Sequence, residues 1–125
     1  MKSLEGMRIV DLSRLLPGPF CSLLLSDLGA EVIKVEEPGT GDYTRWMPPL
    51  VGETSAIFAA LNRGKKSVGI DLKSPGGREI LFKLVATADA VLESFRPGVA
   101  DRLGRVARQS RGEIDRHDWN ARSVH

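Results

Sequence analysis

Short runs of β-branched residues alternate along the chain with longer segments in which apolar residues recur every three or four positions. The short runs predict β-strands at residues 8–12, 31–35, 67–71 and 90–93. The longer segments predict helices at about 19–28, 56–61, 75–86 and, in a short form, 99–103. Between the second strand and the second helix, residues 45–52 are expected to form irregular surface structure. Strands that alternate with helices in this way indicate an α/β fold with a parallel sheet.

The segment between the first strand and the first helix is rich in proline and glycine. The run Pro17-Gly18-Pro19 predicts that the helix starts no earlier than about Pro19. An apolar face is then expected from the helical spacing of Phe20, Leu23, Leu24 and Leu28. In open α/β sheets, ligands bind at the loops that follow the strands. Residues 13–19 are therefore a candidate ligand-binding loop, whose backbone amides can meet an anion or a carbonyl oxygen.

The later helices carry recognisable start signals. Either Thr54 or Ser55 can cap the second helix, and Ser74 is placed to cap the third. Gly76 and Gly77 follow in the first turn of the third helix, where each is expected to cost roughly 1 kcal/mol relative to alanine.

Composition limits the class of protein. A chain of 125 residues with 42% hydrophobic residues can hold one modest core, and its pattern predicts an incomplete Rossmann-like, doubly wound parallel sheet with flanking helices. Its single cysteine excludes an intrachain disulfide and fits a reducing compartment. The first residues lack an uninterrupted apolar segment, so neither a signal peptide nor a membrane span is expected. We therefore expect a cytoplasmic protein, or a peroxisomal or mitochondrial one in a eukaryote.

The formal charge of +2 is unevenly distributed. Residues 105–125 contain five arginines and three acidic residues, whereas basic and acidic residues balance in residues 1–104. The balanced part offers no basic face for nucleic-acid binding. We expect an α/β domain at 1–104 and an atypical arginine-rich tail at 105–125. A frameshift or misjoined segment explains the tail better than a solvated extension, because the pattern breaks off within the architecture.

Three segments are candidates for binding chemistry. The loop at 13–19 lacks the G-x-G-x-x-G pattern of dinucleotide sites, which disfavours a nicotinamide enzyme although Glu36 stands where a ribose-binding acid would. Residues 62–67 contain a basic cluster that can bind phosphates or form a solvated loop. After the fourth strand, Phe95 can lie against a purine or anchor the core.

Catalytic groups are sparse in residues 1–104. This part contains no histidine, so Cys21 has no histidine partner to activate it and is expected to pack as a helix residue. The acidic residues show no metal-ligand spacing, which argues against a metal site. No catalytic residue is predicted in this chain.

Four blocks in this order resemble the N-terminal part of the family III CoA-transferases: DLSRLLPGPF, LGAEVIKVEEPGTGD, LNRGKKSVGIDLKSP and ADAVLESFRPGVADRLG. This family includes formyl-CoA and carnitine CoA-transferases and the α-methylacyl-CoA racemases. The resemblance covers residues 4–104 and implies an acyl-CoA or free CoA as the ligand, with no covalently bound cofactor. It also implies that the full-length parent is an interlocked homodimer.

The resemblance further implies a set of contacts to coenzyme A (CoA). By position, these fall on Leu15, Leu16, Pro17, Lys65, Lys66, Ser94, Phe95 and Arg102. One departure concerns the adenine region, where formyl-CoA transferase has an arginine after the second strand and this chain has Glu37.

The sequence thus predicts the CoA-binding front of an acyl-CoA transferase or an α-methylacyl-CoA racemase. Transferases pass the acyl group through a carboxylate nucleophile, whereas the racemases move the proton beside the thioester carbonyl. In both branches the resemblance places the reacting residues beyond Gly104, so we expect this chain to be inactive alone. A noncatalytic CoA-binding or interaction fragment, or a gene remnant, is the alternative.

Overall fold

A computed structural model describes residues 1–96, 98 and 99. Its centre is a four-stranded parallel sheet with strand order β5-β2-β1-β6. The sheet strands are β1 (Arg8–Asp11), β2 (Glu31–Glu36), β5 (Lys66–Gly69) and β6 (Ala90–Leu92). The register places Val10 opposite Ile33 on one side and opposite Val91 on the other. The predicted α/β class with a parallel sheet is confirmed.

Helices cover both faces of this sheet. The described helices of at least two turns are α1 (Pro17–Asp27), α2 (Ala56–Asn62) and α3 (Pro75–Val85). α3 contributes Leu81 and Val85 to a core cluster on one face, together with Val10. On the other face, Ile9 and Val32 form a second cluster against which Leu25 of α1 packs. None of the helices in the described range is long and apolar enough to cross a membrane.

Two expectations about α1 were wrong. The helix begins at Pro17, two positions earlier than predicted, because the first-turn amides have no intrahelical partner and proline loses nothing there. Its first hydrogen bond runs from the Phe20 amide to the Leu16 carbonyl oxygen at 3.0 Å. Leu23 is buried, but about half of each of Phe20, Leu24 and Leu28 is exposed.

The segment between β2 and α2 is more ordered than the sequence indicated. It contains a 3-10 turn (Tyr43–Trp46) and a small hairpin of β3 (Leu50–Val51) and β4 (Thr54–Ser55). Ser55 is the cap of α2, and its hydroxyl accepts the Phe58 amide at 3.3 Å. The prediction of irregular structure at 45–52 is therefore wrong in part, because this segment includes the end of the 3-10 turn and a paired strand.

The cap of α3 is confirmed, because the Ser74 hydroxyl accepts the Gly77 amide at 2.9 Å. β6 then returns beside β1 and is joined to it beyond the strand ends by the Leu12 amide, which donates to the Leu92 carbonyl oxygen at 2.8 Å. Of the short helix predicted at 99–103, the structure describes Val99 alone. The predicted tail at 105–125 also lies outside the described residues.

Candidate functional site

The strand order creates a crevice at one edge of the sheet. The chain builds outward from β1 through β2 to β5 and then crosses back to place β6 on the other side of β1. Open α/β sheets bind ligands at such a switch point, in the crevice outside the carboxyl ends of the strands. The loop at 13–19 and the segment 93–96 flank this crevice. The sequence predicted both as candidate binding segments.

The loop at 13–19 has a conformation that few residues tolerate. Leu15 has a φ of 64°, in the left-handed region that favours glycine. Gly18 lies so close to Ser13 that an added Cβ would overlap that side chain. The exposed part of the loop is apolar, with Leu15 46% and Leu16 58% accessible. The loop therefore exposes two leucines on a closely folded backbone that follows the carboxyl end of β1.

Asp11, at the end of β1, organises the inner side of this loop. One of its carboxylate oxygens accepts the Ser13 amide at 2.8 Å and the Ser13 hydroxyl. The other accepts the hydroxyl of Ser22 on α1 and lies 3.6 Å from the ammonium of Lys65. Asp11 is fully buried. Its contact with Ser22 turns the Pro19, Ser22 and Leu23 side of α1 inward, which accounts for the exposure of the predicted apolar face.

A second buried pair lies beside the first. The ammonium of Lys34 lies 2.9 Å from Asp42 and donates to the Ser13 carbonyl oxygen at 3.1 Å. The side chains of Lys34 and Asp42 are each 1% exposed. Burial favours the neutral form of Asp42, but hydrogen bonds from Lys34 and from Thr44 outweigh this, so the pKa of Asp42 lies below its ordinary value.

Glu36, the last residue of β2, is held by four hydrogen bonds from three residues. It accepts two hydrogen bonds from the Arg45 guanidinium, at 2.8 and 2.6 Å. It also accepts the Ser67 hydroxyl, and the Asp42 amide at 2.8 Å. Burial by itself raises the pKa of Glu36, yet these donors outweigh it and lower the pKa to about 2. Glu36 is thus a fixed carboxylate inside the fold and has no free lone pair directed at a ribose.

A cleft of about 380 Å³ opens beside this carboxylate. Its walls include Glu37, Arg45, Trp46 and Phe58. The Arg45 guanidinium carbon lies 3.9 Å from the centre of the Phe58 ring, in a cation–π contact. The cleft therefore combines aromatic surface with a guanidinium, although the residue after β2 is Glu37.

The structure divides the predicted CoA contacts into groups. Leu15, Leu16 and Pro17 are exposed on the loop after β1, and Ser94 is exposed in the segment after β6. Phe95 is half-buried and packs against the core cluster of α3. Its position combines an anchoring contact with partial exposure after the end of β6. The structure brings these residues to one edge of the sheet.

The two lysines of the basic cluster point in different directions. Lys65 reaches under the loop, where its ammonium donates to the Pro19 carbonyl oxygen at 2.8 Å and to Asn62 Oδ1 at 3.0 Å. Lys66 instead pairs with Glu31, the first residue of β2, at the opposite end of that strand from the crevice. Arg102 lies outside the described residues. Contact of these three residues with CoA stays a prediction.

Sequence reasoning missed the buried charged network of Asp11, Lys34 and Asp42, although one signal was present. Lys34 interrupts the otherwise apolar centre of the strand EVIKVE. A lysine buried in such a strand needs an acidic partner, because an unpaired buried charge strongly destabilises the fold. The expectation that Cys21 packs inside was also wrong, because this cysteine is exposed on α1. The rotation of α1 toward Asp11 leaves Cys21 on the outer side.

Comparison with known proteins agrees with this arrangement. The chain is 50% identical over 105 residues to succinyl-CoA:glutarate CoA-transferase from Mus musculus. It is 49% identical over 100 residues to acetyl-CoA:oxalate CoA-transferase from Acetobacter aceti. The first match covers 83% of this chain and 24% of the relative, and the second covers 80% and 26%. The chain thus spans about a quarter of the length of these relatives.

Solved structures give the same result. The hypothetical protein Rv3272 from Mycobacterium tuberculosis matches 83% of this chain with 44% identity and a TM-score of 0.77, over 28% of its own length. A CAIB/BAIF family protein from Brucella suis matches 96% of this chain with 42% identity and a TM-score of 0.76, over 30% of its own length. The sequence model of CoA-transferase family III matches residues 4–113, which passes the boundary predicted at Gly104. On this match, the chain belongs to CoA-transferase family III.

Proposed function

We propose that this chain binds the CoA moiety of an acyl-CoA at the crevice between the loop at 13–19 and the segment after β6. The observation that carries the proposal is the pair of exposed leucines, Leu15 and Leu16, on a closely folded loop at the topological switch point of a family III sheet. Apolar surface at this position suits the pantetheine arm, which is long and has little charge. Ser94 and Phe95 would meet the ligand from the opposite side of the crevice.

We place the adenine end in the neighbouring cleft. The exposed indole of Trp46 offers a stacking surface, and Arg45 brings a guanidinium into the cleft where the resemblance implies an arginine. This cation comes from the 3-10 turn and not from position 37. Arg102 stays a predicted phosphate contact, whereas the pairing of Lys66 with Glu31 argues against such a contact for Lys66. Lys65 belongs to the same site but reaches it from the interior.

For the whole protein, we propose CoA transfer between an acyl-CoA and a carboxylic acid. The relatives described above are CoA-transferases, which favours transfer over racemisation as the parent activity. We expect that the 125-residue chain binds without turnover, because the resemblance places the reacting carboxylate of the transferases beyond Gly104. The homodimer and the cellular compartment stay predictions.

Binding is tested by isothermal titration of the 125-residue chain with CoA. Leu16→Ala should weaken binding about tenfold or more, because a lost apolar contact in a binding pocket costs about 1 to 3 kcal/mol. Leu28→Ala is the matched control, since Leu28 lies at the other end of α1 with 48% exposure against 58% for Leu16. Equal affinities for wild type and Leu16→Ala, or no binding by wild type at millimolar CoA, would contradict the proposed site.

Turnover is tested separately. The purified chain is incubated with an acyl-CoA and a free carboxylic acid, and in a second reaction with a single epimer of a 2-methylacyl-CoA. We expect no CoA exchange and no epimerisation above a reaction without protein. Exchange in the first reaction would show that the chain is catalytic by itself, and epimerisation in the second would favour the racemase branch.

A further inference from the structure

Two buried lysines bracket the loop at 13–19. Lys34 donates to the carbonyl oxygen of Ser13, where the loop starts, and Lys65 donates to the carbonyl oxygen of Pro19, in the first turn of α1 where the segment 13–19 ends. The side chain of each lysine is 1% exposed. Each is paired with a buried aspartate, Asp42 for Lys34 and Asp11 for Lys65. The two pairs are together electrically neutral, which makes their burial tolerable.

The Lys65 ammonium is held by internal oxygens through two hydrogen bonds and one longer ion-pair contact. An ammonium group has three N–H donors, and that of Lys65 has three internal oxygen partners. These are the Pro19 carbonyl oxygen at 2.8 Å, Asn62 Oδ1 at 3.0 Å and Asp11 Oδ2 at 3.6 Å. Burial lowers the pKa of Lys65, and the charge of Asp11 opposes that change. Because the Lys65 side chain is 1% exposed, contact with a phosphate in the crevice would require the ammonium to move out of this buried position.

We propose that Lys65 is a positioning residue, which fixes the end of the loop at 13–19 from beneath and does not touch the phosphates of CoA. The proposal rests on the proposed CoA site, but the action of Lys65 on the loop does not. Lys34 has the same action at the other end of the loop. With both ends fixed, the exposed leucines are held in place even though Leu15 has a left-handed backbone.

The loop itself supplies a readout that needs no ligand. Arg14 is exposed in the loop, so the Arg14–Leu15 bond is a trypsin site whose cleavage reports local opening. Lys65→Met removes the ammonium and keeps an unbranched apolar side chain. We expect cleavage at Arg14 to become about tenfold faster or more, in the range for losing a charged hydrogen bond. Cleavage at Arg78, on α3 across the sheet, should change much less.

Lys83→Met is the matched control. Lys83 is 75% exposed and pairs with Glu79 on the outer surface of α3, so cleavage at Arg14 should not change in this variant. A purely structural role for Lys65 predicts that cleavage at Arg14 and Arg78 accelerates by the same factor, because both would then follow global unfolding. That result, or unchanged cleavage at Arg14, would overturn the proposal.

Ligand binding separates positioning from direct contact. CoA and pantetheine share the arm that meets the loop, but only CoA carries phosphates. We expect Lys65→Met to weaken the binding of both ligands by the same factor. A direct phosphate contact would instead weaken the binding of CoA alone. A wild-type chain that binds neither ligand would refute the proposed function, and the cleavage experiment would still decide the role of Lys65 on the loop.

If Lys65→Met loses its far-ultraviolet circular dichroism, Asn62→Ala takes its place. This variant keeps the charge of Lys65 but removes one of the three oxygens that orient it. We expect a smaller but selective acceleration at Arg14. No acceleration relative to Arg78 would count against the proposal.

Discussion

Replacement of Glu36 by glutamine tests how much this buried carboxylate stabilises the fold. The Glu36 side chain is 5% exposed and accepts two hydrogen bonds from Arg45, with Ser67 and the amide of Asp42 as further donors. Glutamine keeps the size of the side chain but removes the negative charge. It also turns one acceptor into a donor, which would face a donor of Arg45 or Ser67.

The expected magnitude follows from the pKa of Glu36. The pKa falls from the ordinary value of 4.5 to about 2 in the folded chain, and each unit corresponds to about 1.36 kcal/mol. The ionised carboxylate therefore contributes about 3 kcal/mol to the free energy of unfolding. Because the folded pKa is lowered, this contribution is fully present above pH 4.5 and is lost as the pH falls through 2. At pH 3 it should have fallen to about 1.4 kcal/mol.

The other partner limits the loss. The Arg45 side chain is 37% exposed, so water can hydrate its charge when Glu36 is replaced. The cost of Glu36→Gln at pH 7 should therefore stay near 2 to 3 kcal/mol and not reach the upper end of the range for breaking a fully buried pair.

Urea unfolding followed by circular dichroism, at pH 7 and again at pH 3, measures this difference. Glu37→Gln is the control, because Glu37 is the adjacent residue, is exposed and undergoes the same change. We expect the difference between wild type and Glu36→Gln to shrink by half or more at pH 3. A difference that is the same at both pH values, or a Glu36→Gln variant as stable as Glu37→Gln at pH 7, would refute the reasoning.

Three glycines give the remaining predictions. Gly76→Ala should raise the free energy of unfolding by up to about 1 kcal/mol, because a Cβ there meets no atom within 4 Å. Gly77→Ala should instead lower the free energy of unfolding by about 1 to 3 kcal/mol, because a Cβ there would overlap the Asp71 carbonyl oxygen. Urea unfolding of both variants measures the two changes in free energy of unfolding, and changes of the same sign would contradict this reasoning. Gly18→Ala should also destabilise by about 1 to 3 kcal/mol through its overlap with Ser13, and Ser13→Gly should recover part of that loss in a double-mutant cycle. Strict additivity of these two changes would exclude the overlap as the cause.

Several features could be read from the sequence because they depend on neighbours along the chain. The order of strands and helices follows from short β-branched runs and from a hydrophobic period of about 3.6 residues, and the cap at Ser74 from the type of residue before a proline. The loop at 13–19 was identified as a candidate site because a proline-rich segment between a strand and a helix falls at the ligand-binding edge of such sheets. These signals are local, so the residues themselves carry them.

Only the tertiary structure decided where the charges lie. Lys65 and Lys66 are adjacent and chemically identical, yet one is buried beneath the loop and the other pairs at the surface with Glu31. The Pro19 carbonyl oxygen that accepts the hydrogen bond from Lys65 belongs to a residue 46 positions away along the chain. No periodicity in the sequence indicates such a partner. Gly76 and Gly77 likewise look equivalent until the Asp71 backbone is placed against one of them. The free energy of a buried charge or of an added methyl group depends on atoms that only the folded chain brings within a few ångströms.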